Sequence, residues 1–207
     1  MKLFDQRSTL NAVDFSSFSI ELLNLGKFET DWGFYSPSDL DEAHALFNAT
    51  CGPASFSAIY RSSVKRVMRF FPHFPSRDWT TIGDMRKALT VAGLNYENTE
   101  NTLPRYGLAL LQLRVNDRPL HPLYSLAQTH WVAVCENCFY DANWGGWLPI
   151  QFWEELVLPQ LQFGSRPVSR WDVRNAIEVL DQEFVDAAFG VVKTKVKSPA
   201  RSACMAD

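Results

Sequence analysis

Cysteine is scarce in this chain: four residues in 207 are too few for a disulfide framework, which sets the expectation of a reducing, cytoplasmic compartment. No run of 18 apolar residues occurs, so no membrane-spanning helix is expected. Met1 to Ser8 carries neither a continuous apolar segment nor a small-residue cleavage site, so no signal peptide is expected. Basic charge is not in excess either. The formal net charge is −3, which argues against a nucleic-acid partner, and the one basic cluster, Arg61, Lys65, Arg66 and Arg69, reads as the solvated face of a helix. There is no phosphate-binding glycine loop, no His-Glu-x-x-His and no Gly-x-Ser-x-Gly. Cys135-Glu136-Asn137-Cys138 has the spacing of half a zinc site, but no second pair completes four ligands. The two cysteines read as free thiols on a buried face, with a disulfide sterically permitted. Neither a metal nor a cofactor is expected.

What is present is a globular composition, 46% apolar and 14% aromatic, in a chain long enough for one core and too short for two. One α+β domain over residues 1–192 is expected, followed by a basic, disordered tail over 193–207. Ser38-Asp39-Leu40-Asp41-Glu42 resembles a capping box ahead of a short helix to Phe47. Apolar spacing predicts a helix from Cys51 to about Phe70, another from about Thr81 to Ala92, and an amphipathic helix across Val168 to Phe189. Gly107–Val115 and Leu123–Leu126 read as strands, Trp144–Pro149 as a loop, and Pro149 as the opening of a short helix. His73, between prolines, reads as a loop histidine.

Two stretches carry chemistry. In Asn48-Ala49-Thr50-Cys51-Gly52-Pro53, proline suits the first helical turn, where the N–H groups have no intrahelical partner. Cys51 then stands at a helix N-terminus, whose free N–H groups and dipole favour thiolate over thiol. A buried cysteine packing as a small apolar side chain is the plainer alternative. The second stretch, His130 to Asn143, is a hairpin signal: two runs rich in Val, Trp, Phe and Tyr around Glu136-Asn137. A two-residue turn there pairs Cys135 with Cys138, Val134 with Phe139, Ala133 with Tyr140, Val132 with Asp141 and His130 with Asn143. His130, Asp141 and Asn143 would then share one face, with Asp141, or alternatively Asn143, in reach of the imidazole.

A nucleophile at a helix start, a distant strand histidine and an orienting residue after it form a Cys-His-Asp arrangement. Cys51-Gly52-Pro53-Ala54, His130-Trp131-Val132-Ala133-Val134 and Tyr140-Asp141 together resemble the papain-like cysteine peptidases, most of all their small bacterial C39-type branch, over roughly residues 44–157. That resemblance implies a papain-like fold with a helical part packed on an antiparallel sheet. It also implies hydrolysis of a peptide or isopeptide bond in a protein or peptide substrate, with Cys51 as nucleophile, His130 as base and acid, and Asp141 orienting the imidazole. The family's glutamine before the cysteine is missing. Asn48 is the candidate for its oxyanion role or else a helix cap, and His44 is a further possible donor. Trp144 and Trp147 follow the third residue and either border the cleft or fill the core. The same triad would also serve acyl transfer, as in transglutaminase-like enzymes, or deamidation. A degenerate, peptide-binding domain is the non-enzymatic alternative.

Overall fold

The computed structural model describes residues 34–115, 129–163 and 166–188. In chain order these form α1 (Leu40–Phe47), α2 (Cys51–Tyr60), α3 (Val64–Val67) running into a 3-10 turn (Met68–Phe70), and α4 (Ile82–Val91). There follow β1 (Tyr96–Asn98), β2 (Tyr106–Arg114), β3 (Thr129–Cys135), β4 (Cys138–Asp141) and β5 (Gly146–Pro149). Then come α5 (Ile150–Leu156), a 3-10 turn (Leu158–Gln160), β6 (Gln162–Phe163), β7 (Arg166–Pro167), β8 (Arg170–Val179) and α6 (Gln182–Ala188). Six strands make one antiparallel sheet in the order β1-β8-β2-β3-β4-β5, and β6 with β7 makes a separate two-stranded ribbon. The architecture is mixed α+β, with six helices among the described residues. The expected strand Leu123–Leu126, the first 33 residues and the tail from 193 lie outside them.

The sheet is covered on both faces, which is why β2 and β3 read as nearly continuous apolar runs instead of alternating ones. Leu108, Leu110, Trp131, Ala133, Tyr140 and Ile177 pack on a first face against α2, α4 and the turn that follows α3. Ala109, Leu111, Leu113, Val132, Val134 and Phe139 pack on the second against Trp153, Val157 and Leu158. Two hydrogen bonds tie α2 to the first face: Ser55 Oγ donates to the Trp131 carbonyl over 3.1 Å, and Tyr106 Oη to the Ile59 carbonyl over 2.7 Å. Gly107 is needed where β2 meets β8, because a Cβ there would run into the Ile177 carbonyl.

Four sequence expectations are corrected. The amphipathic helix over Val168–Phe189 is instead the strand β8 followed by the short α6. A β-bulge places Leu110 opposite Asn175 and Leu111 opposite Val173, so Arg174 is an extra residue. It shifts the alternation by one, leaving Val173 and Ala176 on the second face and Ile177 and Val179 on the first. Spacings of three and four result, which imitate a helix. Second, the helix from Cys51 stops at Tyr60, not Phe70. Arg61 turns left-handed at φ 52°, and α3 starts afresh. Third, Trp144–Pro149 is not all loop, since Gly146–Pro149 is β5, paired with β4. Fourth, Ser38 does not cap α1. Asp39 occupies the cap position without capping its own helix, and its carboxylate instead takes the N–H groups of Val64 and Lys65, at 2.8 and 3.0 Å.

Candidate active site

Cys51 is the first residue of α2, behind an extended Thr50. Its neighbour Gly52 has no room for a side chain: a Cβ there would fall 2.6 Å from Thr80 Cβ. That close approach lets the segment ending at Thr80 press on the first turn of α2. The same segment is held from the sheet, because Trp131 Nε1 donates to the Thr80 carbonyl over 2.8 Å. Trp131 also turns its backbone N–H to Cys51 Sγ at 3.4 Å. The thiol is therefore met by a main-chain donor from β3.

The hairpin forms with the expected register over its three turn-proximal pairs, Cys135 with Cys138, Val134 with Phe139 and Ala133 with Tyr140. The β3–β4 ladder stops there; Asp141 follows the last pair directly, and His130 lies further along β3, where β3 is still paired with β2. His130 Nε2 donates to Asp141 Oδ2 over 2.8 Å, and both residues are buried. That bond leaves Nδ1 as the ring nitrogen for Cys51, whose thiol pKa is lowered by the imidazole against the opposing effect of burial. Asp141 is saturated with donors. Trp153 Nε1 donates to the same Oδ2 over 2.6 Å, and the Asn143 backbone N–H to Oδ1 over 2.7 Å. Trp153 comes from α5 on the second face of the sheet, whereas Cys51 comes from α2 on the first. The three ionisable groups thus meet around the end of β3.

Burial alone would push each of the three toward its neutral form. For Cys51 burial is outweighed by the neighbouring His130 and the Trp131 N–H, which hold the thiol below its ordinary value despite Asp141. For His130 burial is likewise outweighed, chiefly by Asp141 and then Cys51, and its pKa lies well above the ordinary imidazole value. For Asp141 burial is outweighed by His130, Trp153 and the Asn143 N–H, and its pKa is depressed. The combination favoured is thiolate, imidazolium, carboxylate. The other described cysteines go the opposite way. Cys135 and Cys138 are buried free thiols paired across the turn. Burial first, then Cys138 and Glu136, pushes Cys135 up to about 12, and burial raises Cys138.

The remaining sequence candidates fall elsewhere. Asn48 is exposed and left-handed at φ 52°, and it ends α1 by giving its N–H to the His44 carbonyl. It is not the cap of α2, whose N-cap is Thr50 with no side-chain capping bond. Among the described residues no hydrogen bond joins its amide to Cys51. His44 is exposed, with Nδ1 bonded to the Ala49 carbonyl at 2.9 Å. Asn143 supplies its backbone N–H to Asp141, while its amide Nδ2 is buried without a partner. Trp147 is core: buried in β5, against Phe34 and Tyr140, with Nε1 donating to the Tyr35 carbonyl over 2.9 Å. Trp144 is half-buried on the edge of the second-face cluster. His73 sits 3.9 Å from Asp84, in a cluster with Arg77. Among the described residues no group of three or more His, Cys, Asp or Glu side chains is placed to hold a metal.

Sequence reading missed Trp153, Thr80 and the Trp131 backbone. Nothing in the chain separates Trp153 from six other tryptophans, and a backbone donor leaves no signature in residue type. Comparison with protein-family models, with curated proteins and with solved structures gave no match.

Proposed function

We propose that this protein is a cysteine-dependent hydrolase of papain-like architecture, acting on a peptide or isopeptide bond through Cys51, His130 and Asp141. The observation that supports it most is that a half-buried thiol is held below its ordinary pKa by an imidazole that is itself hydrogen-bonded to a saturated carboxylate. A cysteine that only packs needs neither partner. The placement of a Cys-bearing helix start against an antiparallel sheet that carries the histidine and the aspartate supports the papain-like part of the reading.

The chemistry runs as acyl transfer. The Cys51 thiolate adds to the carbonyl carbon, forming a C–S bond, and the displaced π pair becomes an oxyanion that the Cys51 backbone N–H can receive at the start of α2. Collapse breaks the C–N bond, and His130 gives its proton to the departing amine. Water then attacks the thioester, neutral His130 takes its proton, and the thiolate leaves. Asp141 keeps Nε2 protonated throughout, so that Nδ1 is the nitrogen that exchanges the proton. An amine in place of the water would turn the same intermediate to transfer, and product analysis separates the two.

The test is the pH dependence of Cys51 alkylation by iodoacetamide, located by mass spectrometry, in the native chain and in His130→Ala. At pH 6 an ordinary thiol is only about 0.3% thiolate. The native chain is expected to alkylate at Cys51 well ahead of Cys135 and Cys138, and His130→Ala to lose that excess. Equal, slow reaction of Cys51 in both proteins would refute the hydrolase reading and leave a binding domain.

A further inference from the structure

We infer that Ser55 is a positioning residue for Cys51: its hydroxyl holds the main chain of Trp131 so that the Trp131 N–H meets the sulfur. The inference rests on the hydrolase reading above. Ser55 is fully buried, one turn after Cys51 on α2. Its Oγ donates to the Trp131 carbonyl over 3.1 Å, while the Trp131 N–H is turned to Cys51 Sγ at 3.4 Å. Residues four apart on a helix stand on one face. One face of α2 therefore takes both main-chain polar groups of a single β3 residue. A serine inside a helix can instead turn its hydroxyl back to the carbonyl four residues earlier. Here that carbonyl belongs to Cys51, and Ser55 reaches across to the sheet. The other buried serine of α2, Ser57, bonds to the Ser62 carbonyl just past the end of the helix.

Strand register explains why those two groups are open to the helix. In an antiparallel ladder the N–H and C=O of alternate residues point to the same neighbouring strand. Cys135 and Cys138 flank a two-residue turn and face each other, and Ala133 faces Tyr140, so Cys135 and Ala133 direct their main-chain groups at β4. Trp131, two residues further from the turn, points the same way, but there the β3–β4 ladder has ended. Its other edge is covered by β2, where Leu110 stands opposite. Cys51 and Ser55 thus occupy the side of β3 that a longer β4 would have taken. A carbonyl so deeply placed needs a donor, and Ser55 supplies it.

The anchor bears on the chemistry twice. Trp131 directly follows His130, so a bond that fixes Trp131 against α2 also fixes the strand of the imidazole against the start of that helix. An N–H aimed at sulfur favours thiolate over thiol, and it weakens steeply as its distance and angle drift. Ser55 itself carries no charge. The titratable groups that face Cys51 are His130 from β3 and Asp141 from β4, and replacing Ser55 alters neither. Whatever Ser55 does to the thiolate therefore passes through the position of Trp131. A comparison lies in the same helix: Tyr106 Oη donates to the Ile59 carbonyl over 2.7 Å, about two turns from Cys51. That bond also ties α2 to the sheet, but it does not touch Trp131.

The experiment compares Ser55→Ala with Tyr106→Phe in the intact chain. Each deletes one buried hydroxyl that anchors α2 and adds no bulk, so the melting temperature should fall in both. Alkylation of Cys51 by iodoacetamide from pH 4 to 10, located by mass spectrometry, separates them. Ser55→Ala should raise the acid-side midpoint by about one pH unit, the scale of a loosened hydrogen bond to a charged group. Tyr106→Phe should keep the native midpoint. A native midpoint in Ser55→Ala, or an equal shift in both variants, overturns the assignment, because the bond would then hold the helix and nothing more. A reading that needs no variant comes from NMR of the native chain: the Trp131 amide proton should shift as Cys51 ionises, and a shift that ignores that midpoint also overturns the inference. If the excess reactivity of Cys51 over Cys135 and Cys138 stands while Ser55→Ala leaves the midpoint alone, only this inference falls. If the excess is missing, the hydrolase reading fails and takes Ser55 with it.

Discussion

Replacing Asp141 by Asn changes almost no volume and gives the sharpest view of the site. Asp141 accepts three bonds, from His130 Nε2 at 2.8 Å, Trp153 Nε1 at 2.6 Å and the Asn143 N–H at 2.7 Å. A carboxamide has one oxygen. If it stays with His130 and Trp153, its NH2 group faces the Asn143 N–H, donor against donor in a buried place. Such an orphan costs about 1–3 kcal/mol, and the charge-assisted bond to His130 is lost as well, so about 3–5 kcal/mol is expected in all. The pH dependence has a definite sign. Asp141 is depressed in the folded chain, so its contribution is present above the unfolded value and disappears as pH falls through the folded one. His130 is raised, so its contribution is complete below the unfolded value and disappears as pH rises through the folded one. Between about pH 4 and 6.5 both are complete, and the deficit of Asp141→Asn should be largest there. Reactivity should fall with stability. An ordinary thiol at pH 6 is about 0.3% thiolate, and the lower nucleophilicity of a less basic sulfur returns only part of the gain that the pair provides. Alkylation of Cys51 at pH 6 should therefore slow by at least about 10-fold. Urea unfolding from pH 4 to 9, with alkylation rates on the same samples, measures both effects. A variant with native stability and native Cys51 reactivity at pH 6 would show that Asp141 supports nothing.

Two further substitutions probe what holds the first turn of α2 and Cys51 in it. Gly52→Ala gains about 0.5–1 kcal/mol of helix propensity but drives a methyl group into Thr80, and overpacking of this kind costs about 1–3 kcal/mol. A lower melting temperature that Thr80→Ala partly restores is expected, and additivity in that double-mutant cycle would disprove the contact. Asp84→Asn breaks the capping box of α4 and the Arg77 brace together. Burial opposes the Asp84 carboxylate, but the Thr81 and Arg77 bonds hold its pKa low. A loss of about 1–2 kcal/mol is expected at neutral pH, shrinking as pH falls through the Asp84 value, and calorimetry that finds no pH dependence in the deficit would count against it.

The legible parts of this chain are those that local rules govern. The hairpin register follows from Glu136-Asn137 as a two-residue turn, and with it the side of the strand on which His130 and Asp141 stand. The start of α2 follows from Gly52-Pro53, and α4 from its apolar spacing. What was not legible depends on tertiary partners. The bulge at Arg174 belongs to pairing between β8 and β2, and no local feature announces a strand that changes face midway. The end of α2 at Tyr60 is invisible for the same reason: apolar residues continue at helical spacing to Phe71, but they belong to a second short helix that Asp39 caps from 25 residues upstream. Trp147 and Trp153 look alike in the sequence, yet one fills the core against Tyr140 and the other holds a carboxylate.

The position of the triad follows from the burial of the sheet. With both faces of β3 covered, a group on α2 and a group on α5 are separated by the full thickness of the strand wherever the ladder is intact. They can touch only where pairing ends. β3 is paired with β4 only from Ala133 onward, so His130 and the Trp131 backbone are free of that neighbour, and Asp141, last in β4, can turn to the imidazole. A longer hairpin would keep β4 beside His130 and occupy that opening. A shorter one would take Asp141 away from the imidazole, and the buried cation would lose the carboxylate that makes it affordable. The hairpin's length, set by its two-residue turn at one end and the turn after Asp141 at the other, therefore determines whether the helix that starts at Cys51 meets a carboxylate-bound imidazole at all.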